Sequence, residues 1–79
     1  LKITPVGYTD DGLLTLSING AKYSYKLKHG IDSDRYAKIK ATLSTANPYH
    51  HRKLLSAVQA EATRYYNHSN DTWKEGHAA

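Results

Sequence analysis

Asn19-Gly20 stands between two runs of alternating character, and a chain with that arrangement is set to fold back on itself. Before it, Leu14, Leu16 and Ile18 alternate with Thr15 and Ser17; after it, Tyr23, Tyr25 and Leu27 alternate with Lys22, Ser24, Lys26 and Lys28. A type I′ turn needs positive φ at both central residues, which Asn and Gly tolerate best. A two-residue loop pairs Ile18 with Ala21, Leu16 with Tyr23 and Leu14 with Tyr25. Every apolar side chain then falls on one face, as a correct register requires.

An earlier strand is expected across Lys2 to Tyr8, joined through Thr9-Asp10-Asp11-Gly12. A three-residue loop with Gly12 left-handed pairs Tyr8 with Leu14 and Val6 with Leu16, keeping apolar residues together. Pro5 lacks a backbone donor, so this strand belongs at a sheet edge.

After His29-Gly30 the period becomes helical. Tyr36, Ile39 and Leu43 share a face, Asp32 or Ser33 can cap the first turn, and Arg35, Lys38 and Thr42 lie opposite. Asn47-Pro48 starts a second helix, since Asn caps well and Pro at the first helical position forfeits no hydrogen bond. His51, Leu54, Leu55, Val58, Ala62 and Tyr65 form its apolar stripe, which predicts a helix ending near Asn67. The polar residues 68–79 are expected to be a flexible tail unless Trp73 docks.

These elements predict an α+β domain over residues 1–67, a three-stranded antiparallel sheet (β-β-β) followed by two α-helices packed on one face. A chain of 79 residues holds one core. With 39% apolar and 23% charged residues it has neither the composition of a disordered chain nor a membrane span. The absence of cysteine excludes disulfides and thiolate metal clusters, and a cytoplasmic location is expected.

Little in the sequence suggests catalysis. Asp10 and Asp11 suit a turn, Asp32 and Asp34 suit a cap, and no phosphate loop or nucleophile elbow is legible. His50 and His51 are adjacent and lack the i, i+4 partner of a helical metal chelate. A non-enzymatic domain without metal or cofactor is expected. Of the seven tyrosines, Tyr8, Tyr23, Tyr25, Tyr36 and Tyr65 fall on predicted buried faces, whereas Tyr49 and Tyr66 lie off the stripes and suit an interface.

The formal charge of +4 is concentrated. From Lys22 to Lys53 there are eight Lys or Arg against Asp32 and Asp34. Two basic surfaces follow: an open sheet face with Lys22, Lys26 and Lys28, and a helical surface with Arg35, Lys38, Arg52, Lys53 and Arg64. Such concentration favours an anionic partner, nucleic acid (DNA or RNA) or an acidic protein surface, although solvated surface charge is also the ordinary exterior of a domain. A three-stranded sheet presenting Lys, Ser and Thr could enter a DNA major groove.

Leu14, Leu16, Asn19-Gly20, Tyr23, Tyr25, Tyr36, Leu43-Ser44 and Tyr49 form a pattern that resembles the KTSC domain, a short module found at the C-terminus of some lysyl-tRNA synthetases. The likeness covers roughly Val6 to Tyr49. It departs at Ala46-Asn47-Pro48, where that family often has Gly, and in the long helix after Pro48. The layout is also similar to the arm-type DNA-binding domains of tyrosine recombinases. Both resemblances imply a binding module.

The resulting expectation is a small basic module of a phage or bacterial protein that binds nucleic acid through one of these surfaces. The alternative is a protein-interaction domain, a small inhibitor or adaptor docking on an acidic protein surface with Tyr49, Tyr66 or Trp73 as anchors.

Overall fold

In the computed structural model, which describes residues 2–76, the chain runs β1 (Ile3–Tyr8), β2 (Leu13–Ile18), β3 (Ala21–Leu27), α1 (Ser33–Ser44), α2 (Pro48–Glu61), β4 (Ala62–Asn67) and β5 (Thr72–Glu75). All five strands form one antiparallel sheet in the order β1-β2-β3-β4-β5. The expectation of a three-stranded sheet is therefore corrected to five strands within the same α+β class. α1 packs on β1, α2 on β3, and the helices on each other.

The central hairpin has the expected register, with Ile18 opposite Ala21, Leu16 opposite Tyr23 and Leu14 opposite Tyr25. Asn19 and Gly20 both take positive φ, at 52° and 88°. At the preceding turn Gly12 is also left-handed, with φ 94°, and the Thr9 amide bonds the Leu13 carbonyl across a three-residue loop. Tyr8 pairs with Leu14 as expected, but Pro5, not Val6, stands opposite Leu16. Val6 is pushed out in a β-bulge and is 48% exposed. The extra residue shifts the parity of β1, bringing Ile3 instead of Thr4 to the apolar face, where it is buried.

Both helix starts follow local chemistry. The Asp32 carboxylate accepts from the Arg35 amide, and the Asn47 side chain accepts from the Tyr49 amide one residue after Pro48. The core lies between the helices and the sheet: Leu14, Leu16, Tyr25 and Leu27 meet Ile39 and Leu43 of α1 and Val58 of α2.

The second helix ends six residues earlier than its apolar stripe suggests. Ala62 takes extended φ and ψ, and residues 62–67 pair with β3. This pairing satisfies the backbone donors and acceptors that would otherwise line an open edge of β3. A register shift opposite Lys26 and Leu27 makes Thr63 the extra residue, so Ala62 and Tyr65 both face the core although three positions apart. That spacing mimics a helical stripe. Part of the expected tail is also sheet: a turn at residues 68–71, with Asp71 at φ 53°, returns the chain as β5. Residues 77–79 of that expected tail lie outside the described residues.

Gly76 closes the end of β5. Its amide bonds the Thr63 carbonyl at 3.0 Å, and a Cβ there would stand 2.1 Å from the Ala62 carbonyl oxygen. Only a residue without a side chain fits so close to the backbone of β4.

Candidate nucleic-acid interface

Strand alternation divides the sheet into two faces, and the helices cover one. On the other, the pairings align side chains into rows that cross the strands. One row runs Gly7, Thr15, Ser24, Tyr66, Trp73 from β1 to β5. A second runs Leu13, Lys26, Arg64, Glu75, and a third places Thr4, Ser17 and Lys22 together.

The aromatic end of the first row is built by β4, β5 and the turn between them. Tyr66 and Trp73 are directly opposite, with ring centroids 5.2 Å apart, and Tyr66 meets the His68 ring edge-on at 4.7 Å. The Arg64 guanidinium carbon lies 4.3 Å from the centroid of the indole ring, a cation–π contact at an exposed site. Trp73 remains 44% exposed. The polar side of the row is a hydrogen-bonded chain: Thr15 Oγ1 to Ser24 Oγ at 2.7 Å, and Ser24 Oγ to His68 Nε2 at 2.9 Å. This chain fixes the His68 ring against Tyr66, so His68, Tyr66 and Trp73 form one cluster with Arg64 stacked on it.

The expected binding residues separate when placed on this frame. Lys22 is exposed on the open face. Lys26 is also there, but its Nζ donates to the Asp11 carbonyl and ties β3 to the first turn. The Thr9 hydroxyl bonds the Asp11 carboxyl and, with the Lys26 charge nearby, holds it below its ordinary range. Lys28 lies past the end of β3 in a turn, exposed, so the expected sheet row ends at Lys26.

Arg64 is not helical. It belongs to β4 and faces the open side of the sheet, which removes it from the expected helical surface. Arg35 is also withdrawn, because its guanidinium forms a fork with the Glu61 carboxylate and donates to the Gly30 carbonyl at 2.8 Å. Glu61 additionally accepts from the His29 amide at 3.2 Å. Bonding to Arg35 holds the Glu61 carboxyl below its ordinary value and raises the Arg35 guanidinium above its own. Lys38, Arg52 and Lys53 are exposed on the helices, in the layer opposite the open sheet face. Tyr49, in the first turn of α2, is exposed and meets His50 edge-on at 5.7 Å.

Lys22, Lys26, Arg64, Tyr66 and Trp73, all expected binding residues, thus share the open face, Arg64 and Tyr66 from a strand where a helix is expected, and His68 joins them without an expected role. The run Thr63-Arg64-Tyr65-Tyr66, β-branched and aromatic, was the available signal for a strand.

A cleft of about 300 Å³ opens on the helix side of the sheet between α2 and strands β3 and β4, lined by Ile18, Tyr23, Tyr25, Leu55, Gln59 and Tyr65 among others. Burial pushes the Tyr25 hydroxyl above its ordinary pKa, with a hydrogen bond from Gln59 acting in the opposite direction. No group of three metal-ligating side chains occurs among the described residues; His51 Nε2 lies 2.7 Å from the Thr45 carbonyl oxygen. Among the described residues no helix is long and apolar enough to cross a membrane. No protein-family model, no curated protein and no solved structure matches this chain, so its functional reading rests on its own residues.

Proposed function

We propose that this domain binds nucleic acid through the open face of its sheet, without catalysing a reaction. The observation that carries the proposal is the Arg64 guanidinium stacked on Trp73 beside Tyr66, on a face that also exposes Lys22. Aromatic rings offer flat surfaces to bases, and Arg and Lys neutralise phosphates. The helical surface is the weaker candidate, because Arg35 is engaged by Glu61 and Arg64 faces the other way. A cytoplasmic location accords with this reading and with the cysteine-free sequence.

Trp73 is the only tryptophan, so its fluorescence reports directly on the proposed face. Titration with single-stranded DNA, RNA or duplex DNA at low salt should quench it for at least one of them. Replacing Lys22 and Arg64 together by Gln should weaken binding to all sequences alike and reduce the log–log salt slope by about 1.4 on a single strand or about 1.8 on a duplex. Lys38→Gln with Lys53→Gln should leave that slope unchanged. No quenching by any of the three ligands would sink the reading in favour of an acidic protein partner, since Arg, Tyr and Trp are also typical anchors of protein interfaces.

A further inference from the structure

We infer that the ligand of this face is an unpaired strand, whose bases stack on Trp73 and Tyr66. The inference rests on the sheet-face reading above and names the class of nucleic acid it takes.

Width argues first against a duplex. The aromatic row crosses five strands, from Gly7 on β1 to Trp73 on β5. Four interstrand steps of about 4.8 Å make this row about 19 Å long. The major groove of B-DNA is about 12 Å wide and admits a helix or a two-stranded ribbon. A face of this width does not fit into the groove as a whole.

The chemistry of the cluster points the same way. Bases within a duplex are stacked on one another and present only their edges, so the rings of Trp73 and Tyr66 would find no base face there. An unpaired base presents a full π-face. The Arg64 guanidinium carbon lies 4.3 Å from the centroid of the indole ring, and a guanidinium can hold an aromatic face while its N–H groups donate to a phosphate. Beside the rings, His68 is exposed, its ring held by the buried Ser24 hydroxyl and set edge-on to Tyr66.

Three labelled ligands test the inference by fluorescence anisotropy at low salt: a single-stranded oligonucleotide, its blunt duplex, and an abasic strand of equal length with the same phosphates and no bases. The single strand should bind at least about tenfold more tightly than either of the others. Trp73→Leu should reduce the preference over the abasic strand several-fold, and Trp73→Phe should retain most of it, with circular dichroism checking that both variants fold. Equal affinity for the abasic strand or the duplex would overturn the unpaired-strand inference while leaving nucleic-acid binding standing. An undiminished preference in a folded Trp73→Leu variant would overturn the stacking assignment. Failure of all three ligands to bind would overturn the sheet-face reading and this inference with it.

Discussion

Replacing Arg35 by Ala should destabilise the fold without weakening nucleic-acid binding. The Glu61 carboxylate accepts from both terminal nitrogens of Arg35 and from the His29 amide, joining the β3–α1 turn to the α2–β4 junction. The Glu61 side chain is 13% exposed and the Arg35 side chain 37%. Breaking a fully buried pair costs about 3–5 kcal/mol, and breaking an exposed one costs about 0–1 kcal/mol. The screening that Arg35 receives from solvent puts this pair between the two, near 2 kcal/mol. For a domain of this size that is a fall in Tm of roughly 8–16 °C. Arg35→Lys keeps the charge but loses the fork, and should recover only part of the loss.

The folded Glu61 carboxyl sits below its ordinary pKa of 4.5, so the pair's stabilisation is present above that pH and is lost as pH falls through the lowered value. The stability gap between the native protein and Arg35→Ala should therefore be constant near neutral pH and close in acid. Thermal melts followed by circular dichroism across this range would measure it. An Arg35→Ala protein that melts with the native one at neutral pH, or binds nucleic acid less well at unchanged stability, would refute the assignment of Arg35 as an internal staple.

Two further substitutions probe the frame that carries the site. Gly76→Ala forces a Cβ against the Ala62 carbonyl and should loosen β5, detected as faster amide exchange at residues 72–75 and a red-shifted Trp73 emission, while the β2–β3 hairpin keeps its protection. Asn19→Ala should cost about 1–2 kcal/mol in urea unfolding, because Ala resists the left-handed conformation and the Asn19 side chain no longer accepts from the Lys2 amide; Asn19→Gly should cost less.

Where local chemistry decides, the sequence was readable. Asn19-Gly20 dictates its own turn, Asp32 and Asn47-Pro48 dictate their helix starts, and alternation in Leu14, Leu16, Tyr23 and Tyr25 dictates the register between them. Where a bulge intervenes, counting fails. One extra residue at Val6 exchanges the buried positions of β1, and another at Thr63 lets Ala62 and Tyr65 face the core at a spacing that reads as helix. The second bulge hides the candidate site from the sequence pattern, since Arg64 and Tyr66 converge with Trp73 only when residues 62–67 are a strand. The turn-forming run Asn67-His68-Ser69-Asn70-Asp71 ahead of Thr72 and Trp73 was visible, but a lone polar segment does not reveal the edge strand beyond it. Only tertiary pairing with β4 does.

The most direct measurement of the central claim is a two-dimensional amide and indole NMR titration of the ¹⁵N-labelled protein with a short single-stranded oligonucleotide. If the open sheet face is the interface, the largest shifts fall on the Trp73 indole N–H and on the amides of β3, β4 and β5 around Lys22, Arg64 and Tyr66, with the exposed residues of α1 and α2 little changed. Shifts centred on Lys38, Arg52 and Lys53, with the Trp73 indole unmoved, would contradict it.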